Sequence, residues 1–280
     1  MSASLVGSEM CIRDRLGIDA APTSVEEFEA DMQTAKDAGI LPMMTYAKDG
    51  GTSFVFQALM ANNSSAEDVQ NWILQKSGTF DNQAAQDAAS TLQDWNNKGY
   101  MPEGVNAVDA STALSRFCNG EGLFFPSGNW NLDTVAKALG DDVQFFAFPG
   151  ATSEDEPNVA ANAGAFYGIP VNAKNRDAAA AFLDYTQSAE AQQIIVDNSG
   201  YLPKSSTLDL KANSALQQSM FDAYADVLTS GHTSDFINNA TAGMQSSGLI
   251  PNFQLLLDNS ITPQEFTKNV QAQYDKEAKR

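Results

Sequence analysis

"GLFFPSGNWNLD", residues 122–133, joins two kinds of sequence. Gly122 to Phe125 is a short apolar run of the sort that fills a buried strand, bounded by turn residues. Straight after it, Trp130 stands between Asn129 and Asn131. A tryptophan in a core is ordinary. One flanked by amides at the end of a strand-like run suits a surface built to hold something.

Working outward, helices alternate with strand-like runs. Val143–Phe148 reads as a second strand, and a short helix ends near Phe117-Cys118. Upstream, Thr23-Ser24-Val25-Glu26 has the form of a capping box, and Val25, Phe28, Met32 and Ala35 follow at helical spacing before Gly39. Ile40–Tyr46 reads as a buried strand. Lys48-Asp49-Gly50-Gly51 is a turn into an apolar helix over 54–61, and Asp81 opens a helix that puts Ala85, Ala88, Leu92 and Trp95 on one face. Beyond the acidic loop "GATSEDEPN" (150–158), "AFYGIPV" (165–171) is strand-like, and 175–187 and 188–198 read as helices. Gly200–Pro203 is a tight turn. The last third is mostly helical and closes with the capping box Thr262-Pro263-Gln264-Glu265. The alternation predicts an α/β fold.

Composition narrows the function. At 280 residues, with 43% hydrophobic and 18% charged side chains, the chain can bury a large core in one or two domains. No apolar stretch approaches the roughly 18 residues of a membrane span. A net charge of −19 disfavours nucleic acid and anionic membranes, which need a basic face. Only Cys11 and Cys118 are present, and the single histidine is His232, so neither a metal cluster nor a His-based metal site is expected. No cofactor is implied. Cys118 reads as a small buried hydrophobe, Trp72 and Trp95 as core, and His232 as a solvated loop residue.

The opening "MSASLVGSEMCIRDR" (1–15) has neither a 3.6- nor a 2-residue apolar period, and no apolar stretch long enough for a secretory signal. It resembles the translated adapter read-through seen at the start of metagenomic reading frames. Residues 1–15 are therefore expected to lie outside the fold, and the chain to be a fragment lacking its true N-terminus.

Six segments occur in a recognisable order: "APTSVEEFEADMQTAKDAGILPM", "DWNNKGYMP", "FCNGEGLFFPSGNW", "VQFFAFPG", "AFYGIPVNAKNRDAAAAFLDYTQSAEAQQII" and "GYLPKSS". From about Leu16 onward the chain resembles the family 1 extracellular solute-binding proteins of ABC importers, the group that includes maltose-binding protein. That resemblance implies a periplasmic-binding-protein-like fold (type II) of two α/β lobes, with a sugar or oligosaccharide held between them. Residues 16–157 and 205–280 would form the C-terminal lobe and 158–204 part of the N-terminal lobe, whose first segment has no counterpart here. It further implies capture by lobe closure, delivery to ABC transporter permease subunits, a monomer, and an extracytoplasmic location in the periplasm or as a cell-surface lipoprotein.

On the same basis Trp130 would line the ligand cleft. An indole packs against the C–H face of a pyranose, while Gly128, Asn129, Asn131 and Asp133 flank it with backbone and polar groups for hydroxyls. Thr52 and Ser53 after the Gly50-Gly51 turn, Asn162 and Gly164 where the chain changes lobe, Tyr201 and Gln245 are the further candidates. Around Gln245 and Ser246 some members carry a second stacking aromatic that this chain lacks, so the ligand class stays open. The bland alternatives are a Trp130 that plugs the lobe junction, a plain turn at Gly50-Gly51, a hinge at Asn162–Gly164 and a packing Tyr201. As an alternative function, a glycoside hydrolase would also use a Trp platform but needs two carboxylates roughly 5–9.5 Å apart. Glu121 and Asp133 bracket Trp130, yet Glu121 reads as a solvated turn charge. A scaffold or adhesion module would explain the folding signals but not the ordered segments.

Overall fold

The structure, a computed structural model, describes residues 2–162, 167–199 and 210–278. Twelve described α-helices pack on a five-stranded sheet. The strands are β1 (Ser2–Glu9), β2 (Phe124–Gly128), β3 (Val143–Phe146), β4 (Val159–Asn162) and β5 (Thr233–Ser234).

The neighbouring phenylalanines in β2 and β3 set the layers. Successive strand residues point to opposite faces. Phe124 and Phe146 accordingly enter one core with Val6, and Phe125 and Phe145 enter another. The first core is filled by α2 (Val25–Asp37), α3 (Thr52–Asn62), α4 (Ala66–Ile73), α5 (Gln83–Asn97), α11 (Ile250–Leu257) and α12 (Pro263–Glu277). The second holds Ala113 and Phe117 of α6 (Ala110–Cys118), Leu132 and Val135 of α7 (Leu132–Leu139), and Leu216, Met220 and Tyr224 of α10 (Ala215–Ser230). Helix α3 is mostly apolar and buried on nearly all sides, with Val55, Phe56, Leu59 and Met60 in the core. Trp72 and Trp95 are core residues, as the sequence predicts.

Residues 2–15 depart from expectation. Strand β1 lies in the middle of the sheet, antiparallel to β2 on one edge (Ser4 opposite Gly128, Ser8 opposite Phe124). On the other edge it pairs with β3 (Val6 opposite Phe146) and with β4 (Ala3 opposite Ala161). Each flanking strand presents backbone N–H and C=O groups that need partners, and β1 satisfies both sets. Its small residues hide the usual alternation: the Phe117 ring lies over Gly7, where a Cβ would sit 3.6 Å from it. Glu9 then caps α1 (Met10–Leu16), its carboxylate accepting from the amides of Cys11 and Ile12.

Other elements shift in register. The cap of α2 sits one residue later than predicted: Ser24 accepts from Glu27 N–H, and the Glu27 carboxylate accepts from the Thr23 amide and hydroxyl. A bridge to Gly150 holds Ser24 in the extended conformation a cap needs. Asn82, not Asp81, caps α5, accepting from Ala85 N–H, because the Asp81 carboxylate is engaged by the Thr267 hydroxyl at 2.8 Å. The Thr262–Glu265 box of α12 forms as read. Segment 40–46 runs beside β2 but makes only the bridge Met43–Phe124, since Pro42 has no N–H to extend the ladder. In the predicted strand 165–171, residues 165 and 166 lie outside the described residues. Residues 167–171 form no strand, with Tyr167 and Val171 exposed and no described strand beside them. Helices α8 (Arg176–Tyr185) and α9 (Ala189–Ser199) follow, and α8 buries no residue. Cys118 is half-buried, its thiol pKa raised by desolvation, and His232 is exposed.

Candidate functional site

Trp130 sits in a 3₁₀ turn, Asn129–Asn131, between β2 and α7. Asn129 is wholly buried, and Asn131 Nδ2 donates to Ser127 Oγ at 2.7 Å, which fastens the turn to the strand that feeds it. The indole lies against two phenylalanines. Its ring centroid is 5.4 Å from that of Phe54 with the planes at 51°, and 6.1 Å from that of Phe236 at 62°. Phe54 and Phe236 meet edge to face at 6.1 Å. Inclined rings at these separations match the preferred geometry of aromatic pairs. Phe236 is nearly buried, whereas Trp130 and Phe54 are half-exposed. Three elements distant in sequence thus build one aromatic wall that remains partly open.

The turn before α3 positions Phe54. Gly50 has a left-handed φ of 82°, and a Cβ there would fall 2.6 Å from Gln245 Nε2. On Gly51 a Cβ would fall 2.4 Å from the Tyr46 ring. Only glycine fits both positions. Gln245 Nε2 donates to the Asp49 carbonyl at 2.9 Å and so latches the turn. Tyr46 is buried beneath it, and desolvation pushes its pKa up to about 12. Thr52 and Ser53, two residues and one residue before Phe54, are buried at 1% and 7% exposure.

A second set of contacts holds Phe236. Asp235 Oδ1 accepts from the Phe236 amide, from Asn239 Nδ2 at 2.8 Å and from Asn162 Nδ2 at 3.1 Å. Asn162, at the end of β4, is therefore tied to the residue preceding Phe236. Asp133 lies on α7, where Lys137 engages its carboxylate at 2.7 Å. Gly164 and Tyr201 lie outside the described residues.

The structure thus brings Trp130 together with the helix that begins at Thr52 and Ser53, and with the loop that Asn162 contacts. Gln245 serves the Gly50 turn. Sequence reasoning missed Phe54, Phe236, Asp235 and Gln57. Phe54 was visible only as one apolar position in an apolar helix, and Phe236 carried no periodic signal. Among the described residues no three His, Cys, Asp or Glu side chains gather as a metal site, and no described helix is long and apolar enough to cross a membrane.

Comparison with known proteins decides the family. Residues 8–221 match the bacterial extracellular solute-binding protein family. The chain belongs to that family. No curated protein matches it by sequence. Among solved structures, a chitin oligosaccharide binding protein superposes with a TM-score of 0.87 at 18% identity, over 99% of this chain and 70% of that one. RafE in complex with raffinose gives 0.79 at 15%, over 98% and 71%. Maltose-bound MalE3 of T. maritima gives 0.73 at 18%, over 98% and 70%. At these identities the likeness is one of fold: this solute-binding protein has the α/β architecture of the two-lobe periplasmic binding proteins. Its family binds solutes rather than transforming them, and nothing in the comparisons supports the hydrolase alternative. The two carboxylates that reading required are each tied to a neighbouring cation, Glu121 to Arg116 and Asp133 to Lys137.

Proposed function

We propose that this solute-binding protein captures a sugar or oligosaccharide on the Phe54–Trp130–Phe236 wall, between two lobes, and delivers it to the permease of an ABC importer. The partly open three-ring wall carries this reading. A pyranose offers a C–H face to an indole and hydroxyls to the surrounding backbone and amides, a match that aliphatic or strongly ionic solutes lack. The oligosaccharide, raffinose and maltose named for the similar structures support the same class. Residues 16–157 and 205–280 are assigned to one lobe and 158–204 to the other. Helix α8, within 158–204, buries no residue, while β4 pairs with β1 and β5 in the common sheet. Ligand bridging the lobes favours a closed state by its differential affinity, so no bond need break. The protein acts as a monomer outside the cytoplasm, in the periplasm or lipid-anchored at the cell surface. Of the other candidates, Gly128, Asn129, Asp133, Thr52, Ser53 and Asn162 contribute polar or backbone groups around the rings.

Trp130→Ala tests the proposal. Removing the ring is expected to weaken calorimetric affinity for chito-oligosaccharides, raffinose or maltose by about 2 kcal/mol, roughly thirtyfold. Unchanged affinity in a folded variant would return Trp130 to a packing role. Absence of binding by the parent across the panel would remove the sugar class.

A further inference from the structure

We infer that Gln57, seconded by Gln70, is a positioning residue that sets Phe236 against Trp130. This inference rests on the aromatic wall being the solute site. Gln57 lies on α3, one turn beyond Phe54, and is 2% exposed. A glutamine so deep in an apolar helix is costly unless its amide is fully used. Here it is used entirely on one foreign segment. Nε2 donates to the Asp235 carbonyl at 2.6 Å and to Ser234 Oγ at 2.9 Å, while Oε1 accepts from the Ile237 amide at 3.0 Å. The carbonyl before Phe236 and the amide after it are thus both held by one side chain.

Two further bonds complete the clamp. Gln70 Oε1, from α4, accepts from the Asp235 amide at 2.6 Å, and Asp235 Oδ1 accepts from the Phe236 amide at 2.7 Å. The peptide groups on either side of Phe236 therefore have fixed partners, and the direction of its Cα–Cβ bond, from which the ring extends, follows from them. Only an amide of this length satisfies the clamp, because the site asks for a donor and an acceptor at once. Glutamate could accept from Ile237 but not donate to Asp235, and methionine could do neither. The helix that presents Phe54 also dictates where Phe236 stands, so two of the three rings share one frame. Asn162 joins the same hub through Asp235, which links the wall to the end of β4.

The test uses the full chain labelled with 5-fluorotryptophan. Its three tryptophans give three fluorine resonances, and the Trp130 signal is the one lost in Trp130→Phe. Gln57→Met, close in volume, is expected to shift or broaden the Trp130 signal while those of Trp72 and Trp95 stay in place. Affinity for the best sugar of the panel should fall about tenfold, the scale of one lost net hydrogen bond. The spectrum needs no ligand, so it reads the clamp even if no sugar binds. Gln70→Met, at a half-exposed position, provides a second variant if Gln57→Met does not fold, with a smaller displacement of the same resonance expected. An unmoved Trp130 signal in either folded variant would overturn the inference. So would equal movement of all three signals, which marks general loosening.

Discussion

Asp31 lies on α2 with its carboxylate partly withdrawn from water, and desolvation pushes its pKa up to about 6 against the opposing attraction of Arg13. The unfolded chain releases the same proton near the ordinary carboxylate value of about 3.9. Between roughly pH 4 and 6 the native state therefore holds more protons than the unfolded one, and stability falls as pH rises through that window. Asp31→Asn removes the charge that causes this. It is expected to stabilise the protein by about 1 kcal/mol at pH 7, after discounting for partial exposure, and to be near neutral at pH 4. Urea unfolding at the two pH values measures the difference, and an equal effect at both would show that charge is not the cause. Trp130 was legible at this scale because an indole between two amides breaks the local pattern. Phe54 and Phe236 were not, because an apolar residue in an apolar helix, or one in an irregular loop, carries no mark of what it faces.

At the scale of elements, caps show where local reading stops. Thr262-Pro263-Gln264-Glu265 leaves one choice of register, and the box forms there. Thr23-Ser24 and Asp81-Asn82 each offer two adjacent residues able to cap, and tertiary partners choose between them: Gly150 holds Ser24, and Thr267 occupies Asp81. Asn82→Ala is accordingly expected to cost about 1 kcal/mol, since α5 loses the acceptor for the Ala85 amide. A global denaturation midpoint unchanged within error would show that Asn82 is not the effective cap. The strand predicted over 40–46, and the described part, 167–171, of the one predicted over 165–171, did not form, for a related reason. Extended, apolar sequence makes a strand only where a neighbour supplies a ladder, which Pro42 interrupts and the surroundings of 167–171 do not offer.

For the whole molecule, burial is uneven. Helix α5 places Ala85, Ala88, Ala89, Leu92 and Trp95 in the first core, whereas α8 buries nothing and leaves Phe182 64% exposed. Regions with few buried contacts open at lower free energy than the global transition. Amides of 179–185 are therefore expected to exchange by local opening, well before those of 87–97, in native-state hydrogen exchange. Protection of α8 equal to that of α5 would contradict the uneven picture.

From its sequence alone, this protein's α/β class, its amphipathic helices and their approximate ends, the glycine turn before α3 and the ordered segments of a solute-binding family could be stated. Each of these depends on residues within a few positions of one another, or on their order along the chain. Only the tertiary structure decided that residues 2–9 lie between β2 and β3, which of two candidate residues caps α2 and α5, and that Phe54, Trp130 and Phe236 meet. Those outcomes rest on strand pairing and side-chain convergence between segments far apart in the chain. Hydrogen-bond ladders and ring contacts are satisfied by whatever the fold brings near, and nothing in a local pattern records that neighbour.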